Sequence, residues 1–214
     1  VGNWNETFVP SSYWQVVSNT METMTPGCKT ATSKALLTAQ RMLEKGGSEA
    51  QIVSRIFGFC TVPSVYNFSV WTRAQFDAAA MGNYPFSTYY ILGTFDHPSP
   101  PLPVKVMCDK IVPQAGTDIA MLEQVAAAMA VVANVTQDQK CFDVQNIGKS
   151  VTSPTWSYMQ CTSWVMNELP MYGSDGLPND AFIPTPGFSH VDYNNWCAAQ
   201  FNKTPRFNHF RDHG

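Results

Sequence analysis

Six cysteines constrain this chain more than any other feature. Cys28, Cys60, Cys108, Cys141, Cys161 and Cys197 include no Cys-x-x-Cys pair, and no Cys/His cluster stands at zinc spacing. An even count without metal spacing favours disulfides over metal ligation, and six cysteines allow fifteen pairings that sequence alone does not choose between. Asn-x-Ser/Thr sequons at Asn5, Asn67, Asn134 and Asn202, none with proline in the middle, add a second and independent signal. Together they predict an extracellular or lysosomal glycoprotein rather than a cytosolic one.

At 214 residues the chain can build one domain with a real core, or at most two small ones. A hydrophobic fraction of 44% with 14% charged residues is too apolar for disorder. The net charge of −3 gives no basic footprint for nucleic acid or anionic lipid. The most apolar run, Ile119 to Ala133, is interrupted by Glu123 and Gln124 and falls short of the ~20 residues that span a bilayer. The sequence opens on Val1 with no basic leader or cleavage site, so the chain is expected to begin after processing or to be cut from something larger. No internal repeat or low-complexity segment stands out.

Periodicity and caps predict a mostly α chain of seven or eight helices. Ser11 or Ser12 opens a first helix ending near Met24, and a second runs from about Lys29 to Lys45 with Ala35, Leu36, Ala39, Met42 and Leu43 at helical spacing. Gly46-Gly47 stops it, and Ser48-Glu49 opens a third with Ile52, Val53, Ile56 and Phe57 inward. Thr61 to Phe68 reads as a loop and Ser69 to Met81 as a helix. Asp96 to Pro103, with four prolines, reads as a stiff extended connector. Pro103 starts a helix to about Ile111. Thr117-Asp118 caps the helix expected to be longest, Ile119 to Val135, where Ala127, Ala128 and Ala130 permit close approach of a neighbour. Gln137 to Ser153 reads as irregular, Met171 to Gly187 as a long surface loop, and Phe188 to Phe201 as a last helix.

The densest aromatic stretch is Trp156-Ser157-Tyr158-Met159-Gln160-Cys161-Thr162-Ser163-Trp164-Val165-Met166. Ser153-Pro154 begins a helix there. Its bulk rotates to more than one face, so the helix is either buried or set between a core and a ligand cavity. Most such stripes are packing.

This stretch resembles the Trp-x-Tyr-Gln-x-Cys-Thr-Glu signature of the serine peptidase family that holds lysosomal Pro-Xaa carboxypeptidase and dipeptidyl peptidase II. Trp156, Tyr158, Cys161 and Thr162 match it, while Met159 replaces Gln and Ser163 replaces Glu. Pro103-Val104-Lys105-Val106-Met107-Cys108 resembles the family's Pro-x-Lys-Val-x-Cys helix start. Met81-Gly82-Asn83-Tyr84-Pro85-Phe86 is similar to its Met-x-x-Tyr-Pro-Tyr turn. Trp196-Cys197 through Pro205-Arg206 is similar to its Cys-x-x-x-(aromatic)-x-x-x-Pro-Arg segment. Order and spacing agree over nearly the whole chain.

The resemblance implies a disulfide-stapled helical bundle that forms the cap, or lid, insertion of an α/β-hydrolase. It implies the pairs Cys28–Cys108, Cys60–Cys141 and Cys161–Cys197. A further bridge of some relatives lacks its cysteines here, which leaves the segment around Leu169 and Pro170 freer. On this reading residues 1–10 are the exit from the hydrolase core, 11–205 the cap, and 206–214 the return. The partners implied are the α/β-hydrolase core of the same precursor and a peptide substrate with proline; the full enzyme leaves room for a homodimer. Trp156, Tyr158, Thr162 and Met166 are the expected substrate-facing residues. Ser157 carries no charge to anchor an amino terminus and Ser163 replaces the family's Glu, which favours carboxypeptidase-like over dipeptidyl peptidase specificity.

The chain's own chemistry is sparse. No Gly-x-Ser-x-Gly occurs, and His97, His190, His209 and His213 read as surface or packing residues rather than catalytic bases. Asp175, Asp180 and Asp192 read as solvated loop acids, since they stand at no EF-hand or glycosidase spacing. His209, Asp212 and His213 are close enough in sequence to hold a metal, but a terminal tail does this by chance. No catalytic residue, cofactor or metal is therefore expected here. A cap without its core would be inert as a serine exopeptidase. Two other readings stand beside it: a free-standing secreted helical module that binds a peptide or protein, and a piece of a larger assembly.

Overall fold

The computed structural model describes residues 12–113, 116–145, 154–162, 173–186 and 189–205. The expected segments 1–10 and 206–214, the sequon at Asn5, Met166, and the His209/Asp212/His213 group lie outside these residues. Among the described residues the elements run α1 (Ser12–Met24), α2 (Cys28–Lys45), α3 (Gly47–Phe57), α4 (Val65–Met81), β1 (Thr88–Gly93), β2 (Pro98–Ser99), α5 (Pro103–Ile111), α6 (Asp118–Ala133), α7 (Pro154–Gln160) and α8 (His190–Phe201). The expected helical class holds: this is a mostly helical bundle with three disulfides.

Helix α2 is the centre. It packs against α1, α3, α4, α5 and α6, which its sequence permits because the buried positions are mostly small: Ala31, Thr32, Ser33, Ala35, Thr38 and Ala39. Small residues on several faces let helix axes approach closely without leaving voids. At 18 residues α2 is also longer than α6, with 16, correcting the expected order. Thr117 does cap α6, its Oγ1 accepting from the Ala120 N–H at 3.3 Å. Of the alanines expected at the close approach, Ala128 is fully buried, whereas Ala127 faces solvent.

Two of the bridges tie distant parts of this bundle. Cys28 at the start of α2 meets Cys108 in α5, and Cys60 after α3 meets Cys141 after α6. The second is flanked by a backbone bridge in which Phe142 N–H donates to Gly58 O at 2.8 Å and Cys60 N–H donates to Phe142 O at 3.0 Å. With sequence separations of 80 and 81, each closure stabilises by about 4.5 kcal/mol in the chain-entropy model. These pairs, with Cys161–Cys197, are those that the family resemblance implies.

Four readings need correction. The expected loop at 61–68 is helical from Val65, four residues earlier than Ser69, because Ser64 Oγ accepts from Asn67 N–H at 3.1 Å and caps α4. The extended connector at 96–103 is partly strand: β2 pairs antiparallel with β1 in a ribbon whose turn closes by Thr94 N–H to His97 O at 2.9 Å. Gly93 is required there, since its φ is +85° and a Cβ would lie 2.3 Å from His97 O. The last helix begins at His190, behind a capping box formed by Ser189 and Asp192, so Asp192 is an N-terminal cap partner rather than a loop acid.

The fourth correction is the largest. Residues 173–186 are not a surface loop, because Ala181, Phe182 and Ile183 are buried in the main core. Phe182 meets Trp14 edge-on at 4.9 Å and Phe76 at 5.6 Å. The segment closes on itself through a Ser174–Thr185 backbone bridge. Asp180, expected in solvent, is fully buried and accepts from Ser174 Oγ, Asp175 N–H and Phe182 N–H at 2.7–2.9 Å. A carboxylate taken out of water needs such donors.

Candidate functional site

Helices α7 and α8 form a second small cluster around the Cys161–Cys197 bridge, with Tyr193 buried and Trp196 and Phe201 packed against it. The reason lies in α7. Ser157, Gln160 and Cys161 turn inward and are buried, while Trp156 and Tyr158 remain 40% and 44% exposed. Tyr158 rests edge-on against Phe201 at 5.8 Å, and Phe201 meets Trp196 at 6.2 Å. One aromatic row thus runs from α7 onto α8, with one side held by packing and the other open. Thr162 is half-buried with its hydroxyl folded back on the helix, donating to Tyr158 O at 3.0 Å. The helix stops at Gln160, with Cys161 and Thr162 already in a turn.

The resemblance motifs upstream also come together. Leu102 N–H donates to Tyr84 O at 2.7 Å, and Val104 N–H donates to Asn83 Oδ1 at 3.3 Å. The Met81–Phe86 turn therefore caps the helix that starts at Pro103, with Asn83 serving as a remote N-terminal acceptor.

A feature the sequence reading missed is the apolar skin of the ribbon. Tyr90 is 77% and Phe95 78% exposed, with Phe86, Tyr89 and Ile91 also open. Tyr89 meets Phe95 at 5.6 Å, and Tyr84 stacks on Phe86 at 5.6 Å. The run Thr88-Tyr89-Tyr90-Ile91-Leu92-Gly93 carried the signal, since aromatic and β-branched residues ending on glycine favour a strand and turn. Exposed aromatic surface of this kind is a candidate contact site. Leu92, the buried member, packs close to Gly82 and fixes the ribbon to α4.

Electrostatically, two groups in the bundle stand out. Burial pushes the Arg73 guanidinium down, opposed by Tyr66 and Asp180; it lies 5.4 Å over the Trp14 ring and donates to Thr185 Oγ1 at 3.0 Å. Burial pushes the Asp77 carboxyl up, opposed by a hydrogen bond from Tyr13 Oη. Arg73 fastens the 173–186 segment to α1 and α4. His97 sits exposed in the ribbon turn. Among the described residues no group of three His, Cys, Asp or Glu could hold a metal, and no helix is long and apolar enough to cross a membrane.

Fold and bridges define a disulfide-stapled helical module. Its relatives are lysosomal Pro-X carboxypeptidases, at a distance. The chain is 25% identical to that of Bos taurus over 199 residues, covering 91% of this chain and 38% of the relative. It is 24% identical to that of Mus musculus over 198 residues, with the same coverage. With that of Homo sapiens it shares 25% identity over 209 residues, covering 94% and 39%. The chain thus spans under two fifths of the length of the curated relatives it matches. No protein-family model matches it.

Proposed function

We propose that this chain is the substrate-cleft cap of a secreted or lysosomal serine exopeptidase that cleaves next to proline, with carboxypeptidase-like specificity. The observation that carries the reading is the pattern of coverage: homology runs over 91% of the chain but only 38% of the relative. In this reading residues 11–205 are the lid, 1–10 and 206–214 its connections to an α/β-hydrolase core, and the nucleophile, acid and base belong to that core. The exposed faces of Trp156 and Tyr158 supply apolar surface for a proline ring and its neighbour and help to exclude water from the cleft. Met166 is a further substrate-facing residue in this reading, and Thr162 closes the end of the helix that carries Trp156 and Tyr158. The aromatic ribbon at 84–99 is a seat against the core.

The test is a full-length precursor in which residues 11–205 are replaced by a short linker. Retained labelling by an acyl-site probe with lost preference for proline at the cleavage site supports a lid. Unchanged proline preference would contradict it.

A further inference from the structure

A groove of about 360 Å³ opens between the end of α3, the outer face of α6 and the segment after it. It shares none of Trp156, Tyr158 or Thr162. Its floor is apolar: Phe57 and Trp71 are buried, and Phe142 is half-buried with its ring 5.2 Å from that of Trp71. Glu123 and Lys140 stand on the rim. The Cys60–Cys141 bridge and the Phe142–Gly58 hydrogen bond hold one wall in place, so the groove is preformed.

Asn134, the first residue of the Asn134-Val135-Thr136 sequon, lines this groove. It caps the C-terminus of α6, its N–H donating to Ala130 O at 3.0 Å. Its Oδ1 accepts from Gln139 N–H, another lining residue, at 3.1 Å. The carboxamide is thereby oriented, and Nδ2 makes no hydrogen bond among the described residues. The other described sequons differ. Asn67 lies within the first turn of α4 with Nδ2 turned to Gln145 Oε1 at 3.4 Å, and Asn202 is exposed at the end of α8.

We infer that the groove is the seat of this protein's own N-linked glycan, attached at Asn134. A lipid-diphosphate-linked oligosaccharide is the donor. Asn134 Nδ2 bonds to the anomeric carbon of the first N-acetylglucosamine, one amide proton leaves, and the anomeric C–O bond breaks with its electron pair going to the diphosphate. The first sugar then lays its C–H face on Phe142 and Trp71, as pyranoses do on aromatic rings, while its hydroxyls reach Glu123 and Lys140. A tethered occupant of this size matches the volume of an ordinary ligand pocket and pays little translational entropy. The glycan is a covalent plug that keeps an apolar groove from binding other proteins.

The experiment uses protein secreted from a glycosylating host. Intact mass and glycopeptide mapping are expected to show Asn134 occupied. A dye that fluoresces on apolar surface is then titrated against three folded forms: untreated, trimmed to the first N-acetylglucosamine by an endoglycosidase, and stripped fully by an amidase. Trimming should leave dye binding unchanged and full removal should raise it several-fold; N134Q should match the stripped form, and N202Q the untreated one. An unmodified Asn134 overturns the inference, as does equal dye binding by the trimmed and stripped forms. Should N134Q not be secreted, the enzymatically treated forms alone decide.

Discussion

Ser174 Oγ donates to the fully buried carboxylate of Asp180 at 2.7 Å, six residues away. This bond, with the Asp175 and Phe182 amides on the same carboxylate, folds 173–186 into a plug. Ala181 N–H then donates to Ser18 Oγ at 2.9 Å and joins the plug to α1. Asp180→Ala leaves three donors without an acceptor in a dry site, and each such loss costs about 1–3 kcal/mol. The expected loss is on the order of 3 kcal/mol in urea unfolding of the whole bundle, with Phe182→Ala losing a similar amount through a core cavity. If either variant unfolded with the parent's midpoint, the plug would not be part of the core.

Burial of Asp77 favours the bundle at low pH. Its carboxyl is raised by burial, so the native state holds the proton more tightly than the unfolded chain does. Its contribution is therefore full below the ordinary aspartate pKa and is lost as pH rises through the raised native value, at about 1.4 kcal/mol per unit of displacement. Asp77→Asn keeps an acceptor for Tyr13 and removes the titration. Melting temperature followed from pH 7 to pH 4 should rise less, or fall more, in the variant than in the parent. Parallel curves would exclude Asp77 as a contributor. Exposed Asp109 and Asp192 work in the opposite direction, since hydrogen bonds from Lys105 and from Ser189 hold them low.

The three bridges should not be equivalent. Cys161–Cys197 joins only the small α7–α8 cluster, whose buried members are separate from the main core. A Cys161→Ser, Cys197→Ser double variant is expected to lose hydrogen-exchange protection in α7 and α8 while the bundle's unfolding midpoint stays near the parent's. Removing Cys28–Cys108 should instead lower global stability by about 4 kcal/mol. A global loss of that size from both variants would show that the two clusters unfold together.

Trp156 and Tyr158 are half-open, and Tyr158 meets the Phe201 ring edge-on. Tyr158→Ala should cost about 1 kcal/mol of stability, the worth of one edge-on pair. If the chain is the proposed lid, alanine at either position in the full-length protein should raise KM for proline substrates with little change in kcat. An unchanged KM would assign the row to packing alone.

The helices were legible because their signals are local. Thr117 before α6, Pro103 at the first turn of α5 and Gly46 after α2 each act through their own backbone neighbours. The misses came from non-local terms. Asp180 looks like a turn acid until Ser18, Arg73 and Trp14 are brought to its segment from positions more than 100 residues away. The ribbon was hidden because four prolines near residue 100 argue against strand, although only Pro98 lies in the short strand itself. At the candidate site, Trp156 and Tyr158 were legible through family resemblance; their openness was not, since it depends on Ser157 and Gln160 turning inward around a bridge to α8.

The central claim is that reactivity resides outside these residues, and a fluorophosphonate probe addresses it most directly. The chain expressed alone, and a longer precursor or partner chain from the native source, would be incubated with the probe and analysed by mass. A lid gives no adduct on the isolated, folded chain and one adduct on the longer protein, at a serine outside this sequence. A stoichiometric adduct on any serine of the isolated chain would contradict it.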